Sequence, residues 1–66
     1  MRSFHDIEER RSIHGFSRKA VYEKAGIHKE TWRRLMNGTS APNTRTLEKL
    51  AGALDDLINE KDRAHG

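Results

Sequence analysis

The run Lys29-Glu30-Thr31-Trp32-Arg33-Arg34-Leu35-Met36-Asn37 holds two kinds of chemistry. Trp32, Leu35 and Met36 recur at helical spacing and make an apolar stripe, with Lys29, Glu30, Arg33 and Arg34 on the opposite side. A guanidinium fork pairs bidentately with planar acceptors such as a carboxylate, a phosphate or the major-groove edge of guanine. An ammonium reaches the same acceptors as a point charge, and a carboxylate accepts from exocyclic amines such as cytosine N4. The plain alternative is that these charges are the solvated face of a surface helix, as charged helical residues usually are. The position of the run favours the sharper reading, because it follows Gly26 directly after another short helical segment.

The elements that must position this run are legible from the punctuation of the chain by Gly15, Gly26, Gly38 and Pro42. Ser3 is a cap for a first helix over about 4–14, with Asp6 in its first turn and Phe4, Ile7 and His14 on one face. Ser17 caps a second helix over about 18–25, with Val21, Tyr22 and Ala25 turned inward, and Gly26 ends it by adopting a positive φ. The charged run is the third helix. Thr39-Ser40-Ala41-Pro42-Asn43 reads as a loop. Asn43 then caps a stripe of Leu47, Leu50, Ala51, Leu54, Leu57 and Ile58, which predicts a fourth helix over about 44–61. Gly52 inside that helix costs about 1 kcal/mol relative to Ala, so a kink or a split into two helices stays open. His65 and Gly66 are expected to fray. Alternation of apolar and polar residues never persists, so no strand is predicted and the fold class is all-α, with four or five helices.

Composition narrows the function classes. The 66 residues are read as one domain, 1–66, close to the lower size at which a chain without disulfides or metal folds alone. Cysteine is absent, which removes disulfides and thiolate metal sites and fits a reducing compartment. No run approaches the roughly 20 apolar residues of a membrane span, so neither a membrane nor export is expected and the predicted location is cytoplasmic. Residues 1–45 hold ten Lys/Arg against five Asp/Glu, whereas residues 46–66 hold three against five. Positive charge is thus concentrated in one part of the chain, as a polyanion partner would require.

Two short helices joined by a Gly-containing turn, the second with one apolar and one cationic face, make a helix-turn-helix arrangement, here over about 17–37. Gly26 reverses the chain, Ile27 pins the turn to the core, and the polar face of the third helix is left outward. There it can enter the B-DNA major groove, about 12 Å wide. Ile7 through Arg11, Gly15-Phe16-Ser17, Val21, Ala25-Gly26-Ile27, Trp32, Leu35, Asn37-Gly38, Pro42 and Thr46 through Leu54 stand in one register. In that register residues 7–54 resemble the Cro/CI-type (lambda-repressor-like, or XRE) helix-turn-helix domains of phage and bacterial repressors.

The resemblance implies a small lambda-repressor-like domain that binds duplex DNA as a transcriptional regulator. It implies base contacts from His28, Lys29, Glu30 and Arg34, with Arg33 nearby, and a backbone contact from Arg18, which also buttresses the recognition helix. Asn37 takes the position that meets a phosphate. Arg2, Lys19, Thr39, Ser40 and Arg45 are further candidates for phosphate contacts, which position the protein without reading sequence. Three residues depart from the family pattern. Tyr22 stands where a small residue is usual, Trp32 where a β-branched one is, and Met36 where a Glu often pairs with an Arg of the first helix. The two aromatics imply repacking of the second helix against the third. Arg11, without that Glu, is expected to face solvent or DNA.

No nucleophile with a base, no paired carboxylates in a cleft and no phosphate-binding Gly loop is visible, so no enzyme is predicted. His5, His28 and His65 lack metal-ligand spacing and His14 lies on an apolar face, so no metal and no cofactor is assigned. The reading is a repressor that occupies a palindromic operator as a homodimer, with Leu57 and Ile58 as the dimer interface. The bland alternative is that both fold back onto Phe4 and Ile7. A rival function is a protein-interaction module, such as an antitoxin or an adaptor, that offers the same C-terminal stripe to a partner. No sensor segment is evident, so no small-molecule ligand is expected and control by concentration is predicted.

Overall fold

A short polar side chain takes a free amide at the start of each helix. Ser3 Oγ accepts from the Asp6 amide at 3.2 Å and Asp6 Oδ2 accepts from the Ser3 amide at 3.4 Å, a reciprocal capping box that opens α1, Phe4–His14. Ser17 Oγ accepts from the Ala20 amide at 3.1 Å and opens α2, Arg18–Ala25. Asn43 Oδ1 accepts from the Thr46 amide at 2.7 Å at the start of α4, Thr44–His65. The helix between them, α3, Lys29–Asn37, is capped by a histidine: His28 Nδ1 accepts from the Glu30 amide at 3.1 Å. Such caps contribute about 1 kcal/mol each. The computed structural model describes residues 3–38 and 43–65, with the side chains of 64 and 65 excepted. Arg2, the 39–42 part of the expected loop and Gly66 lie outside the described residues.

The turn that orients α3 depends on Gly26. Its φ of 72° lies in the left-handed region, where a Cβ is disfavoured, and the Ile27 amide then closes the turn on the Tyr22 carbonyl at 2.9 Å. Ile27 is half-buried against the core, as the sequence predicts.

One cluster joins all four helices: Ile7 from α1, Val21 from α2, Trp32 from α3, and Leu50, Ala51 and Leu54 from α4. α4 lies against α2 and α1, while α3 joins chiefly through α2 and Trp32. The Phe4 ring meets the Trp32 indole edge-on at 5.0 Å and Tyr22 meets it at 6.2 Å, which is how two aromatics are accommodated where the family has a small and a β-branched residue.

One open question about α4 is answered and one boundary is corrected. The helix is unbroken through Gly52, which is exposed and would meet nothing within 4 Å if it carried a Cβ. It also runs on to His65, past the predicted end at 61 and without the fraying expected of His65. Its last turns are held from outside the helix: Lys24 Nζ donates to Glu60 Oε1 at 2.7 Å, Lys61 Nζ donates to the His14 carbonyl at 3.0 Å, and Lys61 lies 5.4 Å above the Phe16 ring.

Candidate nucleic-acid interface

α3 buries a single side chain fully, Trp32, and that anchor decides which way the rest of the helix faces. Thr31 and Leu35 are half-buried beside it, while Lys29, Glu30, Arg33, Arg34 and Asn37 are exposed. Met36, expected on the apolar stripe, is instead 41% exposed. Glu30 and Arg33 approach to 3.7 Å with side chains 53% and 69% exposed, a pair that water screens to about 0–1 kcal/mol. A competing phosphate or base edge displaces so weak a pair at little cost.

Several cations elsewhere on the molecule are paired with the chain's own carboxylates. Arg10 donates to Asp55 at 2.9 Å, Lys24 to Glu60, and Arg11 to Glu8. The Glu60 contact raises the Lys24 ammonium above its ordinary value, first through the hydrogen bond and then through Coulomb attraction. Lys19 and Lys29, by contrast, enter no ion pair among the described residues. Lys19 at the start of α2 and Lys29 at the start of α3 thus keep their charge for an outside partner.

Arg18, the first residue of α2, is held in place by a residue that sequence reasoning missed. Its Nε donates to Glu8 Oε1 at 3.1 Å, while its side chain stays 56% exposed. The outer guanidinium nitrogens are thus presented to solvent on a fixed stem. The same Glu8 takes two bonds from Arg11, at 3.0 and 2.9 Å, and Arg11 also donates to the Phe16 carbonyl at 2.6 Å. Arg11 is only 15% exposed, so the expectation that it faces solvent or DNA is overturned. The missing family partner at position 36 is replaced from within α1, three residues upstream. Partial burial works to raise the Glu8 carboxyl, but the bonds and attraction from Arg11 and Arg18 outweigh it and hold it below the ordinary carboxylate value.

The other predicted residues are placed as follows. His28 stands at the N-terminus of α3, but its Nδ1 is committed to the cap, which leaves Nε2 for any outside partner. Asn37 ends α3 and Arg45 lies in the first turn of α4, both exposed. Thr39 and Ser40 lie outside the described residues. Leu57 and Ile58 are half-buried against the core cluster of their own chain, leaving part of each side chain at the surface. His5, Asp6 and Glu9 offer ligand atoms within 4.8 Å of one another on exposed α1, though Asp6 is already part of the capping box. Among the described residues no helix is long and apolar enough to cross a membrane.

No curated protein and no solved structure matches the chain. A family model described as helix-turn-helix matches residues 7–57, from the buried start of the α1 core face to the last partly buried leucine of α4.

Proposed function

Because the chain belongs to the XRE (Cro/CI-type) helix-turn-helix family of DNA-binding regulators, we propose that it represses transcription by occupying a palindromic operator as a homodimer. The observation that carries this reading is the outward cationic face of α3, anchored by Trp32 and flanked by Lys19 and the Glu8-held Arg18. In this reading α3 lies in the major groove. Arg34 pairs with a guanine edge, Lys29 reaches a guanine or a phosphate, Glu30 accepts from cytosine, and His28 and Arg33 touch neighbouring bases. Arg18, Lys19, Asn37 and Arg45, with Thr39 and Ser40, meet phosphates and set the register.

A dimer follows from the size of the reading head: one module offers few base contacts, and a two-fold pair doubles them at half-sites one helical turn apart. The exposed edges of Leu57 and Ile58 are the proposed seam. The test is a selection of binding sites from random duplex DNA, followed by sedimentation of the chain with the enriched duplex. An enriched inverted repeat bound by two chains is the expected result. An enriched single half-site bound by one chain removes the dimer, and no enrichment removes the reading.

A further inference from the structure

We propose that the cleft between α2 and α3 binds a small amphipathic anion, an aromatic or acyl carboxylate, and that this ligand competes with DNA. The cleft has a volume of about 440 Å³, within the usual range of small-molecule sites. Its rim is cationic on both sides, with Arg18 and Lys19 on α2 and Lys29 and Arg33 on α3. Its floor is apolar, formed by Tyr22, Trp32 and Met36.

Phosphate contacts account for the rim but not for the floor. Met36 is one of two large hydrophobic side chains that stand exposed among the described residues, and it lies in this cleft. The Tyr22 and Trp32 rings, tilted at 49° with centroids 6.2 Å apart, both line it. Charge complementarity excludes a cationic occupant, and an apolar floor gives an inorganic anion nothing to bury. A molecule with a carboxylate at one end and a ring or a short alkyl chain at the other satisfies both halves.

The competition rests on the proposed function, because Lys29 and Arg33 are assigned there to DNA contacts. A carboxylate that pairs with them takes the groups that DNA needs, and by reciprocity DNA weakens the ligand. The regulator would then sense a metabolite on its reading head, against the expectation of control by concentration alone.

The test uses 4-phenylbutyrate as the probe and the indole N–H resonance of Trp32 as the reporter, since the chain has one tryptophan. In titrations without DNA, the account predicts a saturable shift that 4-phenylbutanol, which lacks the charge, reproduces only at about tenfold higher concentration or more. Met36→Glu, which sets a carboxylate in the floor, is expected to weaken the probe at least about tenfold, and Ile13→Ser on exposed α1 to leave it unchanged. A shift that never saturates, equal binding of the alcohol, or indifference to Met36→Glu overturns the site. With the selected duplex present, probe at ten times its dissociation constant is expected to weaken DNA about tenfold, as a strict competitor does. Unchanged DNA affinity overturns the competition. Failure to bind any duplex DNA is a failure of the regulator reading, and the DNA-free titration still decides the site.

Discussion

α3 and α4 are both amphipathic helices with a polar face, yet the molecule puts the two polar faces to opposite uses. α4 buries Leu50, Ala51, Ala53 and Leu54, and it ties its outer residues back to the rest of the chain: Asp55 to Arg10, Glu60 to Lys24, Lys61 to the His14 carbonyl. α3 buries Trp32 and turns Lys29, Arg33 and Arg34 to solvent. Amphipathicity therefore does not identify a binding helix. What sets α3 apart is that its charged side chains stand exposed around a single buried anchor beside a rigid turn. A charge bonded across the fold, as in α4, is structural, whereas an exposed cation such as Lys29 keeps its field for an outside partner.

If α4 is scaffold and α3 is reader, substitutions in the two should damage different properties. The largest effect is expected from Leu54→Ala, which empties a fully buried site in a very small core. It should cost about 2–5 kcal/mol of stability, comparable with the whole stability of such a domain, and urea titration should show a largely unfolded chain. Arg34→Ala should leave the urea midpoint within error but cost about 1–3 kcal/mol of DNA binding and relax preference at one base position. Equal loss on all sequences would move Arg34 to the phosphate contacts. Arg18→Ala is the counterpart that should weaken every duplex alike.

Smaller effects sharpen the boundary between the two roles. Glu8 has a carboxyl lowered in the folded chain, so its contribution is present above the ordinary carboxylate pKa of 4.5 and is lost as pH falls through the lower folded value. Glu8→Gln should remove part of the acid-induced drop in melting temperature, a share worth about 0.5–1 kcal/mol after screening by solvent. Melting curves of both proteins between neutral and acidic pH that fall in parallel would mean the Arg11 and Arg18 bonds contribute nothing. Gly52→Ala, on the open face of α4, should raise stability by up to about 1 kcal/mol without altering DNA affinity.

The bounds of α1, α2 and α3 were legible because of local stops and starts: Ser3 and Gly15, Ser17 and Gly26, and the Gly38 that ends α3. The end of α4 was not, since its last turns depend on contacts such as Lys61 to His14, 47 residues apart in the chain. The exposed face of α3 was readable from helical spacing. Its support was not: Arg11 was sought in the family's pairing, and the Glu8 that takes it lies three residues away in the same helix. The link from Glu8 to Arg18 crosses a turn, and no periodicity reports it. The capping role of His28 was hidden for a different reason, because histidine is not among the residues that signal an N-cap.

The central claim is that α3 and the start of α2 meet DNA while α4 beyond its first turn does not, and amide chemical-shift mapping with the selected duplex tests it most directly. The account predicts shifts concentrated at residues 18–19 and 28–37, diminishing as salt is added because several cations displace condensed counterions. It also predicts an unmoved stretch at 55–63, apart from any change at Leu57 and Ile58 that dimerisation brings. Shifts concentrated on the acidic face of α4, with residues 28–37 unmoved, would contradict it.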